Sequence, residues 1–309
     1  MVTETISREA AAALWYVSRR PRESQAAGLA TGSAKDALRV GIQGEPGSFS
    51  HQAALQLMAD CNVIPFALSA DVFAALAGEQ IDAAVIPIEN SLAGSVLEHF
   101  DLLLNHDVLV EQETLLRIHH NLIVLRDTAI GDVDRVFSHP VALAQCRKFL
   151  AAHPQMEAFS FYDTAGSVKQ LVELQDRHAA AIASEAAAVH YGAKIIEAHI
   201  EDNSENYTRF FLVRRHKDGQ KRADSNKVSI AFSVENRPGT LVAALADLSA
   251  IGTNLTKIES RPVHGKPWEY IFYVDCQISS ADEADRALSA LEPHCAMVKE
   301  LGRYPEAIR

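Results

Sequence analysis

What this 309-residue sequence lacks is informative. It has only four cysteines, Cys61, Cys146, Cys276 and Cys295, all far apart. No CxxC pair is present, so neither a zinc ribbon nor a dithiol redox motif is expected, and the thiols read as free and buried. No apolar run is long enough to span a bilayer. There is no excess of positive charge: the formal net charge is -11. That balance argues against a nucleic-acid or membrane surface, while leaving room for a local site that binds a small anion. The glycine-rich turn at residues 44–47 lacks both the GKS/GKT ending of a P-loop and the GxGxxG spacing of a dinucleotide site. The N-terminal "ALWYVSRRPRES" puts its apolar patch before its arginines, the reverse of a signal peptide. A cytoplasmic protein is therefore expected, with the N-x-T sequences at Asn206 and Asn254 unglycosylated.

What is present is an ordinary globular composition, 48% hydrophobic and 22% charged, long enough for two or three domains. Residues 1–38 read as an extension. From Arg39 a grammar repeats: short apolar strand, polar cap, amphipathic helix. "RVGIQG" leads into "HQAALQLMA", "AAVIPIE" into "SVLEHFDLLL", "RVFS" into "VALAQCRKFLAA", "FSFYD" into "AGSVKQLVEL" and "AAAIAS" into "EAAAVHYG". Ser, Thr, Asp, Asn or an early Pro stands at each junction, as helix starts require. Such alternation implies parallel or mixed sheets covered by helices. Strand ends and helix N-termini then face one crevice, where free N–H groups favour carboxylates. Residues 215–226, polar and basic, read as a linker. From residue 227 the order becomes β-α-β-β-α-β, that of a ferredoxin-like domain.

Four stretches carry candidate chemistry. In "GEPGSFSHQAA", Gly44 and Gly47 allow a tight turn and Ser48 and Ser50 cap a helix or bind a ligand. In "PIENSLAGSV", Glu89, Asn90 and Ser91 leave the carboxyl end of a strand, and Gly94 is placed one turn into the following helix. In "SHPVALAQC", His139 either titrates near neutral pH or starts a helix ahead of Pro140. In "SENYTRFFLV", strand alternation puts Asn206, Thr208 and Phe210 on one face and Tyr207, Arg209 and Phe211 on the other. Arg209 then either points away from a ligand held by Thr208 or braces a second wall.

Taken together and in this order, "GEPGSFSHQAA", "PIENSLAG", "SHPVALAQC", "AAIAS" and "NYTRF" resemble the catalytic domain of the prephenate dehydratase family. "NRPGTLVAAL" and "LTKIESRP" resemble the amino-acid-binding ACT regulatory domain that often follows it. The resemblance implies an α/β fold: a bilobal, type II periplasmic-binding-protein-like catalytic domain over 39–214, plus a ferredoxin-like βαββαβ ACT domain over 227–305. One lobe would hold about 39–113 with 196–214, the other 114–195. It implies loss of water and carbon dioxide from prephenate, giving phenylpyruvate for phenylalanine biosynthesis, with arogenate dehydratase as the close alternative and a non-catalytic amino-acid sensor as the distant one. Aromatisation of the ring drives the reaction, so no metal and no organic cofactor is implied. The implied catalytic residues are Thr208, Arg209, Phe210 and Asn206. Ser48, Ser50, Glu89, Asn90, Ser91, His139, Thr164 and Ser184 would line the substrate cleft. Phenylalanine would bind through Asn236, Pro238, Gly239, Thr240, Leu241, Glu259, Ser260, Arg261 and Pro262. The family usually has Gly-Ala-Leu-Val where this chain has Gly239-Thr240-Leu241-Val242. A homodimer or homotetramer is implied, with no nucleic-acid or membrane partner.

Overall fold

The structure, a computed structural model, describes residues 37–220, 222–263 and 268–308. The expected N-terminal extension lies outside these residues except for its last two. These residues form one compact unit, built on three sheets. The chain begins with β1 (Arg39–Gln43), α1 (Phe49–Leu57), β2 (Asn62–Phe66), α2 (Ser69–Ala77), β3 (Ala83–Asn90), β4 (Gly94–Ser95), α3 (Leu97–Asn105) and β5 (Val108–Arg117). It then crosses to β6 (Asn121–Val124), β7 (Arg135–Ser138), α4 (Pro140–Gln145), α5 (Arg147–Ala152), β8 (Glu157–Ser160), α6 (Thr164–Leu174), β9 (Ala179–Ala183), α7 (Glu185–Tyr191) and β10 (Lys194–Glu197). β11 (Tyr207–Arg215) returns to the first sheet. The last sheet follows as β12 (Lys227–Val234), α8 (Thr240–Ala250), β13 (Asn254–Pro262), β14 (Tyr270–Gln277), α9 (Ala281–Leu291) and β15 (Cys295–Tyr304).

The first sheet runs β2-β1-β3-β11-β5, with β4 paired to β3, and the second runs β10-β6-β9-β7-β8. Both mix parallel β-α-β pairs with antiparallel returns. β5 stays in the first sheet to Arg117 and β10 in the second to Glu197. The two crossovers therefore lie at 118–120 and 198–206, a few residues beyond the expected 113/114 and 195/196. The third sheet, β13-β14-β12-β15, is wholly antiparallel. Among the described residues no helix is long and apolar enough to cross a membrane. All four cysteines are free; Cys146 and Cys276 are buried, Cys61 and Cys295 half-buried.

Polar residues start several helices as their side chains dictate. Ser48, Asp163 and Ser184 accept backbone N–H bonds at the starts of α1, α6 and α7, and His139 does so for α4 ahead of Pro140. Gly94 departs from expectation. It is not helical but forms a hairpin with β3, pairing with Asn90. Its φ of +84° explains the glycine, because that left-handed backbone is costly for other residues. No close neighbour does so, since an added Cβ there would meet nothing within 4 Å.

The first and third sheets share a hydrophobic core. Phe211 and Val213 of β11 lie in one cluster with Ala231, Tyr273, Leu301 and Tyr304. The backbones of β15 and β5 come so close at Gly302 that an added Cβ would sit 2.1 Å from the Val110 carbonyl oxygen. The alternate residues Phe210 and Leu212 face the other way and pack with Val40, Ile42, Ala53 and Val85. Strand alternation thus makes β11 a partition: one face looks toward α1, the other toward the third sheet.

Candidate active site

Thr208 stands at the entrance of β11, half-buried and paired with Asn90 across the strand register. Asn90 Nδ2 lies 2.7 Å from Asn206 Oδ1, 3.0 Å from Thr208 Oγ1 and 3.1 Å from the Tyr207 carbonyl, and shares its two hydrogens among these three acceptors. The Asn90 amide cannot be reversed without loss, because its Oδ1 accepts the Leu92 and Ala93 N–H groups at 3.0 and 2.8 Å. A hydroxyl has one hydrogen to donate. With a lone pair of Thr208 Oγ1 occupied by Asn90, that hydrogen is left for a ligand.

The network continues into the second lobe. Asn206, fully buried, donates to Gln145 Oε1 at 2.9 Å, and Gln145 Nε2 donates to Asn90 Oδ1 at 3.3 Å. His120 Nε2 lies 2.9 Å from the same Gln145 oxygen. Since that oxygen only accepts, His120 carries its hydrogen on Nε2. Burial pushes the His120 pKa down, so the ring is neutral at pH 7. Among the described residues its buried Nδ1 has no hydrogen-bond partner. Gln145 and His120 were not singled out in the sequence. Gln145 is part of "SHPVALAQC", but only the fold shows that it, rather than His139, reaches Asn90 and Asn206.

Further contacts join the lobes beside this network. Ser184 Oγ donates to the Gly47 carbonyl at 2.6 Å. A Cβ on Gly47 would lie 2.6 Å from Ala187 Cα, so the turn and α7 touch backbone to backbone. Glu45 meets Lys169 at 3.1 Å and accepts from Tyr162 at 2.9 Å. Ser48 and Ser50 are buried at the start of α1, and Thr164, half-buried, opens α6. Ser91 ties the β3 hairpin to β11, donating to the Glu205 carbonyl and accepting from the Tyr207 N–H. His139 uses Nδ1 to accept the Val141 N–H, and its burial lowers its pKa and keeps it neutral.

Three expected ligand contacts are corrected. Arg209 is not open to a substrate carboxylate. Its buried guanidinium meets Glu113 at 2.5 Å, Asp275 at 2.6 Å and the Tyr304 hydroxyl at 3.0 Å, so it braces β11 against the third sheet. Phe210 is a core residue, 1% exposed, packed against α1 and β1. Glu89 pairs with Lys257 of β13 and lies 3.6 Å from Arg209; it too faces the third sheet.

The residues expected to hold an effector separate into two groups. Asn236, Pro238 and Gly239 form an exposed loop ahead of α8, where Gly239 takes φ +88°. Thr240 Oγ1 lies within hydrogen-bond reach of both the Glu235 and Arg237 carbonyls, which share its one hydrogen, and Leu241 packs into the core of the third sheet. On β13, Ser260 and Pro262 are exposed. Glu259 instead accepts from Ser95 at 2.7 Å, and Arg261 pairs with Asp101 of α3. Glu259 and Arg261 therefore fasten β13 to the first lobe and do not point at the 235–239 loop.

Two mixed α/β lobes joined by paired crossovers, with a polar network at their junction and a βαββαβ module behind, define a bilobal ligand-binding enzyme. The prephenate dehydratase family profile matches residues 40–218, more than half of the chain, and the chain belongs to that family. It is 39% identical over 278 residues to arogenate dehydratase/prephenate dehydratase 2 of Arabidopsis thaliana, covering 87% of this chain and 73% of that one. It is 36% identical over 274 residues to the bifunctional chorismate mutase/prephenate dehydratase of Aquifex aeolicus, covering 88% and 74%. Among solved structures, the prephenate dehydratase of Arthrobacter aurescens in complex with L-Phe superposes with a TM-score of 0.79 at 28% identity, over 87% of this chain and 90% of that one. The fold is the expected one: a type II periplasmic-binding-protein-like arrangement followed by a smaller C-terminal domain.

Proposed function

We propose that this chain dehydrates and decarboxylates prephenate to phenylpyruvate, with Thr208 donating a hydrogen bond to the departing ring hydroxyl. The observation that carries this is the fixed Asn90 amide, which occupies the Thr208 oxygen and leaves its hydrogen to donate. As carbon dioxide leaves one face of the ring and hydroxide the other, negative charge grows on the departing oxygen. A donor already aimed there stabilises that charge without reorganising. Asn90, Asn206, Gln145 and His120 act by positioning Thr208. Ser48, Ser50, Thr164 and Ser184, at helix starts on both sides, are proposed to line the cleft, with the free N–H groups of α1 favouring the pyruvyl carboxylate.

Residues 227–305 are proposed to be an ACT domain that binds phenylalanine through the loop 236–241. The L-Phe complex of the Arthrobacter aurescens relative supports this effector. Signalling would run through β13 and Arg209. The exposed edge strand β13, with Ile258 at 50% and Val242 of α8 at 70% exposure, supports pairing of these domains in a homodimer or homotetramer. A cytoplasmic location is proposed together with this role.

The Arabidopsis relative, named for both substrates, keeps arogenate as the second reading. Supplying prephenate and arogenate side by side to purified protein and following phenylpyruvate and phenylalanine separates the two. Turnover of prephenate is expected. Silence on both would favour a sensor.

A further inference from the structure

We propose that His119, His199 and Glu201 bind a divalent transition-metal ion of the zinc class where the two crossovers between the lobes meet. His119 lies on the outgoing crossover, His199 and Glu201 on the returning one. The three donor atoms converge. His119 Nδ1 is 2.8 Å from Glu201 Oε1 and 2.9 Å from His199 Nδ1, and His199 Nδ1 is 3.9 Å from Glu201 Oε1. Ligands held tetrahedrally at about 2.0–2.1 Å from zinc sit about 3.3–3.4 Å apart, a spacing these distances bracket.

Hydrogen bonding alone does not satisfy this cluster. An imidazole nitrogen carries either one hydrogen or one lone pair, directed in the ring plane. If His119 Nδ1 donates to Glu201, the second nitrogen at 2.9 Å can take only a forked share of the same hydrogen. If it accepts from His199, its lone pair is spent and it opposes a carboxylate oxygen at 2.8 Å. Only a forked hydrogen on His119 Nδ1, poorly aligned with two acceptors nearly a right angle apart, reaches both contacts, whereas one cation accepts all three lone pairs.

The surroundings fit a metal site. The Glu201 side chain is 3% exposed, and its second oxygen is fixed by the His120 N–H at 2.9 Å, leaving Oε1 for the ion. Such outer bonds orient metal ligands. The His199 side chain is 62% exposed, so an ion has an entry path and a solvent-facing coordination position. His199 also takes φ +57°, a left-handed backbone that few non-glycine residues adopt. Its ring meets that of His119 edge to face, with centroids 4.3 Å apart.

The ion would not take part in the dehydration. It would pin together the crossovers that set the spacing of the lobes. His120 links it to the active site, since its backbone fixes Glu201 and its ring holds Gln145.

The test is a cobalt titration of tag-free, chelator-treated full-length protein. Wild type is expected to bind one Co2+ per chain, with visible d–d absorption that stoichiometric Zn2+ abolishes. Zn2+ should also raise the melting temperature of wild type. His199→Ala removes an exposed ligand, so it leaves the fold intact. It should weaken Co2+ binding by at least about tenfold, the scale seen for outer-shell partners alone, and cancel the thermal shift. Glu201→Gln should do the same. A wild type without Co2+ absorption, or equal Co2+ affinity in wild type and His199→Ala, overturns the proposal.

Discussion

Arg209 and Asp275 meet at 2.6 Å, joining the strand that carries Thr208 to the middle of the third sheet. The register makes this contact consequential. Thr208 pairs with Asn90 and Arg209 with Glu89, so the C-terminal domain grips the residues next to Thr208 and to the Asn90 that positions it. Asp275 is shared with Ser229 at 2.5 Å, and Glu113 with Lys227 at 2.9 Å, so few lone pairs in this buried cluster go unused. Arg209→Leu leaves Glu113 and Asp275 without their central cation. Breaking a buried ion pair on one side typically costs about 3–5 kcal/mol. Urea denaturation should report a loss of that order, with turnover falling as β11 loosens.

The second grip lies on the β3–β4 hairpin. Lys257 pairs with Glu89 and donates to Ser95 at 2.9 Å, while Glu259 accepts from the same Ser95. Lys257→Met removes the charge and keeps most of the packing. Basal prephenate turnover is expected to stay within about threefold of wild type, on the scale of a lost partly exposed ion pair. Inhibition by phenylalanine should need a higher concentration. Rate measurements across a phenylalanine series check this, and an unchanged inhibition curve would place the relay elsewhere.

Acid should destabilise the protein below about pH 6.5, the ordinary histidine value. His99 is buried, 2.6 Å from Ser69 Oγ and also against the Pro87 carbonyl, and burial lowers its pKa. Between its folded-state pKa and 6.5, the unfolded chain binds more protons than the native one. Stability therefore rises with pH through that window and is complete above it. His99 alone can contribute up to about 1.4 kcal/mol per pH unit there. Melting temperatures from pH 7 down to 5 should fall for wild type and fall less steeply for His99→Gln.

Much of the fold was legible because strand–cap–helix junctions and the period-two face of β11 are local signals. The alternation that put Thr208 and Arg209 on opposite sides is what the structure displays, although Arg209 was still expected among the catalytic residues. The hairpin at Gly94 was misread because a glycine near a helix start and a glycine at positive φ look alike in one dimension. Gln145, His120, Lys257 and Asp275 escaped notice for a different reason. Their partners are 25 or more residues away in sequence, and no local pattern encodes such a meeting. Glu259 and Arg261 were assigned to the effector from the resemblance of "LTKIESRP" alone, and charged residues on a strand do not reveal which neighbour neutralises them.

The orientation of the Asn90 amide gives a further prediction. Asn90→Asp replaces the donor to Thr208 Oγ1 with an acceptor. The Thr208 hydrogen then turns toward the new carboxylate and away from the substrate. Steady-state kinetics should show a kcat loss of about 10²-fold or more, the scale of one misdirected oxyanion donor. The circular dichroism spectrum should be unchanged.

The central claim is tested most directly by comparing kcat for prephenate in Thr208→Ser and Thr208→Val, each shown to be folded by its melting curve. Serine keeps the hydroxyl that Asn90 orients, so a rate within about tenfold of wild type is expected, whereas valine keeps the shape without the hydrogen and should lose about 10²–10³-fold in kcat. Equal rates in the valine variant and the wild type would contradict the account.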